Sequence, residues 1–200
     1  MLIDAGAKYL GYGSDITRTY LRDGVDDLFG EILARMELLQ QSLVAKVAPG
    51  VSYIDINRAT HRGVAEILHA AGLVKLSADE IFERGFTHPF FPHGVGHLLG
   101  IQVHDVSGHM ADPDGTPAPP PKEYPFLRFT RNIEIGQVFT IEPGFYFIPM
   151  LLEPFRNGAD SHLFDWEKID RLTKLGGIRI EDNLHVTKDG AENLTRPYFN

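Results

Sequence analysis

Apolar residues recur at helical spacing from Val25 to Val47, through Leu28, Ile32, Met36, Leu39 and Leu43, and Pro49-Gly50 stops the run. Ser52 with Asp55 three positions on has the form of a capping box. It opens a second amphipathic helix through Val64, Ile67, Leu68 and Ala71, closed near Gly72. Ser77-Ala78-Asp79-Glu80 starts a third, short helix. Ahead of them, Leu2–Ala5 and Ser14–Thr17 flank a Gly- and Tyr-rich turn and read as a hairpin within residues 2–20. A turn between Tyr9 and Leu10 would set Asp4 directly opposite Asp15. Further strands are predicted from Gln137 to Ile141 and from Gly177 to Val186, where Ile178, Ile180, Leu184 and Val186 alternate imperfectly around Glu181. Residues 149–175 read as an excursion with one short helix, Trp166 to Leu172, and the proline-rich residues 112–125 as an extended surface loop. Strands at both ends with helices between, and no repeat or linker, predict a single α+β domain over residues 1–200.

Composition narrows the function classes. The 200 residues carry 19 Lys+Arg against 27 Asp+Glu, a formal charge of −8. That balance argues against nucleic acid or an anionic membrane as the main partner. The absence of cysteine excludes disulfides, iron–sulfur clusters, thiolate zinc sites and thiol nucleophiles. No apolar run approaches the roughly 18 residues of a bilayer span, and the N-terminus lacks the basic and apolar regions of a signal peptide, so a cytoplasmic location is expected. Met1 stands directly before a strand that reads as buried, which points to a piece of a longer chain.

Of nine histidines, five fall between positions 88 and 109: His88, His93, His97, His104 and His109. His93-Gly94-Val95-Gly96-His97 has metal-binding spacing, but two internal glycines make it a loop or strand end rather than a helix. No His-Glu-x-x-His, Gly-x-Ser-x-Gly, phosphate loop or dinucleotide fingerprint is present. Four carboxylates have apolar or turn neighbours: Asp4 and Asp15 around the hairpin, Glu142 after Val138–Ile141, and Glu181 after Ile178-Arg179-Ile180. Two opposed ionised carboxylates repel by about 4 kcal/mol at about 4 Å, so such a pair takes up a proton or a cation. Each acid alone also fits a bland role: turn chemistry for Asp15, a strand end for Glu142, a solvated turn for Glu181. The four together, with the histidine cluster, point to a carboxylate-rich dinuclear metal site.

Six motifs then become recognisable in order: Leu2–Ala7, Tyr12–Thr19, Phe91–His97, Val103–Val106, Thr140–Gly144 and Gly177–Asp182. Together they resemble the catalytic domain of the prolidases (Xaa-Pro dipeptidases), pita-bread metallopeptidases related to aminopeptidase P and methionine aminopeptidase. The resemblance runs nearly end to end. It implies a pita-bread fold, a curved, mainly antiparallel sheet covered by helices, incomplete at its N-terminal side. It implies five metal ligands, Asp4, Asp15, His97, Glu142 and Glu181, with Asp15 and Glu181 bridging two divalent ions. Hard oxygen donors with one imidazole suit Mn2+, with Co2+ or Zn2+ as alternatives. Hydrolysis of Xaa-Pro dipeptides by a bridging hydroxide is implied, with Glu142 moving a proton. His93 and His104 would line the substrate site and steady the tetrahedral intermediate. Arg128 would hold the substrate carboxylate, and Arg179 would be a further substrate-binding residue.

Full-length prolidases carry an N-terminal domain and an initial catalytic stretch ahead of the Asp4 motif, and form homodimers. The expectation for this chain is therefore a nearly complete core that binds metal with weak or no peptidase activity alone. Competing readings are organophosphate ester hydrolysis at the same metals, an aminopeptidase P, an inactive truncated fragment, or a binding remnant of the fold. The last predicts broken ligands, and all five are intact.

Overall fold

The computed structural model of the chain describes residues 1–199. Strands β1 (Leu2–Ala5), β2 (Lys8–Tyr9), β3 (Tyr12–Gly13) and β4 (Ile16–Thr19) form one long, interrupted hairpin. Leu10 and Gly11 both have positive φ, 48° and 92°. This two-residue turn sets Tyr9 opposite Tyr12, and the same register continues to Asp4 opposite Thr17. The expected direct pairing of Asp4 with Asp15 is thus corrected by two positions. Asp15 lies where strand pairing is broken, with Ser14 N donating to Ala7 O at 2.9 Å and Ala7 N to Ser14 Oγ at 3.0 Å.

The two long helices follow their periodicity. Helix α1 (Asp27–Val44) starts at Asp26, whose side chain accepts from Leu28 N, and buries Phe29, Ile32, Met36 and Leu43. Helix α2 (Tyr53–Ala70) buries Tyr53, Ile56, Val64 and Leu68. The predicted capping box at Ser52 does not form. Asp55 is one methylene shorter than the Glu or Gln the box uses, and it pairs with Arg58 at 2.7 Å instead. The complete box is at α3 (Ala78–Glu83), between Ser77 and Glu80.

Strand β5 (Val138–Ile141) pairs with β8 (Asp182–Thr187), which pairs with β9 (Gly190–Asn193); β6 (Gly144–Tyr146) pairs with β7 (Gly177–Arg179). All pairs are antiparallel. The expected single strand from Gly177 to Val186 is therefore two, split at Ile180-Glu181, and that break accounts for the imperfect alternation. The excursion carries a helix the sequence hid, α4 (Pro149–Arg156), besides α5 (Trp166–Thr173). Pro149 occupies the first turn of α4, where proline is favoured, but Pro154 inside the helix masked the pattern. Between helices and sheets lies one core rich in aromatics, including Phe90, Phe91, Phe129, Phe139 and Phe145. No helix among the described residues is long and apolar enough to cross a membrane.

Candidate metal centre

Sheet ends and loops converge on one polar cleft. Asp4 comes from β1, Asp15 from the break before β4, His97 from the loop after His93, Glu142 from just after β5, and Glu181 from the β7–β8 break. The cleft, about 250 Å³, is lined by these five and by His93, His104, Arg128 and Arg179, so all nine predicted site residues meet there. Donor atoms within 4.8 Å of one another form three overlapping groups: Asp4, Asp15, Glu181; His97, Glu142, Glu181; and Asp15, His97, His104. Asp15 and Glu181 each belong to two of them.

The glycines of the His93–His97 loop have a steric reason. A Cβ on Gly94 would lie 2.7 Å from Leu127 Cα, and one on Gly96 would lie 2.7 Å from Thr140 Oγ1. The bare loop therefore lies flat on its neighbours. Thr140 N donates to His97 O at 2.9 Å and Glu142 N to Val95 O at 2.8 Å. Tyr53 and Asn57 of α2 reach the same region, Tyr53 Oη donating to Thr140 O and Asn57 Oδ1 accepting from Val95 N.

The electrostatics call for a cation. His97 Nδ1 donates to Leu98 O at 3.0 Å. That bond fixes the tautomer and leaves Nε2 facing Asp15 Oδ2 at 3.5 Å and Glu142 Oε1 at 3.4 Å. A neutral imidazole would aim its lone pair at two carboxylates, so either a proton or a metal ion occupies that space. Burial opposes a charge on His97, yet Asp15 and Glu142 hold its pKa above the usual value. Asp15 is correspondingly lowered, chiefly by His97. Burial raises Glu142. Burial, then the charges of Glu142 and Asp15, push Glu181 up to about 9. Glu181 Oε2 accepts from Thr17 Oγ1 at 2.7 Å, whereas its buried Oε1 has no partner. A buried orphan oxygen among carboxylates fits a ligand atom for a cation.

The supporting residues divide. Thr17 holds Glu181, and Thr140 Oγ1 donates to Glu142 Oε1 at 3.2 Å while accepting from His97 N. Asp105 does not reach the ligands: it accepts from Val106 N and borders a separate surface depression. His93 is committed on both nitrogens, Nδ1 to Gly94 O and Nε2 to the Tyr146 hydroxyl. Burial drives its pKa down to about 4, so the ring is neutral. Arg179 bonds Asp4, the Tyr146 hydroxyl and Thr17 Oγ1. Tyr146, which sequence reasoning missed, thus links His93 to Arg179, and burial pushes its hydroxyl up to about 12. Its only signal was two glycines, Gly144 and Gly177, whose missing Cβ atoms leave space for its ring. Beside the cleft, and sharing His93 and Phe126 with it, lies an apolar pocket of about 260 Å³ that includes Phe91, Leu127, Leu151 and Phe155.

Comparison with known proteins shows the family of the chain. The family model described as metallopeptidase family M24 matches residues 1–188. The chain is 50% identical over 197 residues to the Xaa-Pro dipeptidase of Pseudoalteromonas atlantica, and 53% over 198 residues to that of Marinobacter nauticus. Each alignment covers 98% of this chain but 44% of the relative, so the chain spans less than half their length. Among solved structures, a histidine-to-alanine variant of Escherichia coli aminopeptidase P superposes with a TM-score of 0.74 at 30% identity, covering 98% of this chain and 38% of that one. The zinc-substituted form of that enzyme with product gives 0.71 at 30% identity, covering 98% of this chain and 38% of that one.

Proposed function

The chain belongs to metallopeptidase family M24 and has its pita-bread fold, and on that premise we propose that residues 1–200 are the catalytic domain of a dinuclear-metal Xaa-Pro dipeptidase. The single observation carrying this reading is His97, whose Nδ1 is held by a backbone carbonyl while Nε2 faces two carboxylates. Asp4, Asp15, His97, Glu142 and Glu181 would hold two divalent ions between them. Four carboxylates supply a charge of −4, which two divalent ions balance. Oxygen donors with one imidazole suit Mn2+, and Co2+ or Zn2+ less specifically. When bound, such ions bring the pKa of a water toward neutrality and polarise a carbonyl oxygen.

The chain's own residues do the rest. Glu142, half-buried and with its pKa raised by burial, is placed to take a proton on its carboxylate and return it to the departing proline nitrogen. A tertiary amide leaves only when that nitrogen is protonated, so this return is half of the chemistry. His104, its ring 4.3 Å from that of His97, stands where it can donate to the oxygen that gains charge. Arg128, exposed on the cleft wall, offers a planar fork to the free carboxylate of a dipeptide. The neighbouring apolar pocket would accept an uncharged side chain. His93, neutral and fastened at both nitrogens, acts through its ring edge and through Tyr146.

Hydrolysis of Leu-Pro by the Mn2+-loaded chain tests the proposal. Weak turnover at most is expected of the chain alone, falling further in Glu142→Gln, with Leu-Pro amide uncleaved. Metal uptake without any cleavage would instead make the chain a metal-binding portion of the enzyme, inactive alone.

A further inference from the structure

Building on the metal-centre reading above, we propose that Asp182, clamped by Arg18, is a positioning residue that sets the place of the ligand Glu181. Thr17 and Arg18 of β4 face Glu181, just before β8, and Asp182, at its start, in two rungs. In the front rung Thr17 Oγ1 donates to Glu181 Oε2 at 2.7 Å, and Glu181 N donates to Thr17 O at 3.0 Å. Directly behind it, Arg18 Nη2 meets Asp182 Oδ1 at 2.5 Å. Arg18 Nη1 ties the rungs together: it donates to Glu181 O at 2.6 Å and to Thr17 O at 2.9 Å. One guanidinium thus fixes the peptide of the ligand and the peptide of the threonine that orients it.

The clamp is itself held from behind. Asp182 is wholly buried. Its Oδ2 accepts from Gln40 Nε2 at 3.0 Å, Asn193 Nδ2 at 2.8 Å and Arg196 Nε at 3.0 Å. Arg18 is further covered by the Phe199 ring, 4.5 Å from its guanidinium carbon. None of Asp182, Arg18 or Arg196 lines the cleft, so none can touch substrate. Well-packed apolar side chains would serve stability as well as a buried ion pair does. What they could not supply is a directional hold on the Glu181 carbonyl. Because Glu181 lies in the break between β7 and β8, outside regular strand pairing, its carboxylate depends on such a hold. An error there would reach both ions, since Glu181 belongs to two donor groups.

Calorimetric titration of Mn2+ into the whole chain tests this. Arg18→Lys keeps the charge but loses the fork, and Asp182→Asn keeps the shape. Leu172→Ala, a buried α5 residue outside the cleft, is the control that lowers thermal stability by cavity formation alone. Mn2+ affinity about 10–100-fold weaker in Arg18→Lys and Asp182→Asn is expected, as for loss of a partner behind a metal ligand, while Leu172→Ala binds like wild type. Affinities within twofold of wild type in both variants, with melting temperatures lowered as in the control, would overturn the proposal. Should Asp182→Asn not fold, Arg18→Lys decides alone. Wild-type chain that takes up no Mn2+ would overturn the metal-centre reading first, before any substitution is compared.

Discussion

At the scale of single residues, charge crowding in the cleft opposes folding until a cation arrives. Glu181→Gln removes one member of that cluster. With its pKa held at about 9, Glu181 must take up a proton when the metal-free chain folds at neutral pH, a cost that Gln avoids, so the melting temperature of the metal-free chain is expected to rise by about 2–4 °C for each ~1 kcal/mol relieved, and two-ion binding to be abolished. Calorimetry with and without Mn2+ checks both signs; a lowered metal-free melting temperature would show that the carboxylates are not in conflict. A second residue-scale effect lies away from the centre. His61 is buried, with Nδ1 2.8 Å from Thr87 Oγ1, and burial drives its pKa down to about 3. Above its ordinary value near 6.5 the ring is neutral in both folded and unfolded chain, so pH has no effect through it. Below that value the unfolded chain takes up a proton that the folded chain refuses, and stability is lost from about pH 6.5 down to about pH 3. Between pH 7 and pH 5 the loss is about 2 kcal/mol. Urea unfolding should show an acid-side loss of stability in the wild type that is smaller by about 2 kcal/mol between pH 7 and pH 5 in His61→Gln, the remainder including the share of His93, whose pKa is lowered to about 4.

At the scale of elements, what the sequence made legible was what local physics decides. Both long helices follow their apolar period, and the glycines of the His93–His97 loop announce that it is not a helix. The elements that escaped depend on neighbours. Strand β6 has only Gly144, Phe145 and Tyr146, and exists because β7 pairs with it. Strand β9 is Gly-Ala-Glu-Asn, with no apolar alternation, and exists because β8 offers an edge. Helix α4 tolerates an internal proline because Pro149 starts it and Leu152 packs inward. The same contrast appears at two serines of similar sequence context. Ser77→Ala should cost about 1 kcal/mol by urea unfolding, because its oxygen caps Glu80 N. Ser52→Ala should cost a few tenths at most, because its side chain caps nothing. Equal losses would contradict the capping assignment. The site residues were legible as types and spacings. Their support was not: Tyr146 and Asp182 act through partners far off in sequence, and the Asp4 register hinged on the backbone of Leu10-Gly11.

At the scale of the molecule, the candidate centre joins the two ends of the described chain. Asp4 in β1 and Glu181 in the break between β7 and β8 lie in one donor group although 177 positions separate them in sequence. A ligand bound only by the folded state stabilises it by mass action, about 4 kcal/mol at 1,000 times its dissociation constant. Saturating Mn2+ should therefore raise the melting temperature by roughly 8–16 °C, and a chelator should reverse the gain. Among the described residues, four small sheets, joined through side chains and loops, make this closure important to the whole. The chain spans less than half the length of the curated relatives it matches. The most direct measurement is the stoichiometry of Mn2+ binding to the metal-free chain by calorimetry at neutral pH. Two ions per chain, with neither bound at full affinity once Glu181 is replaced by Gln, is the predicted result; a single ion, or none, would contradict a dinuclear centre.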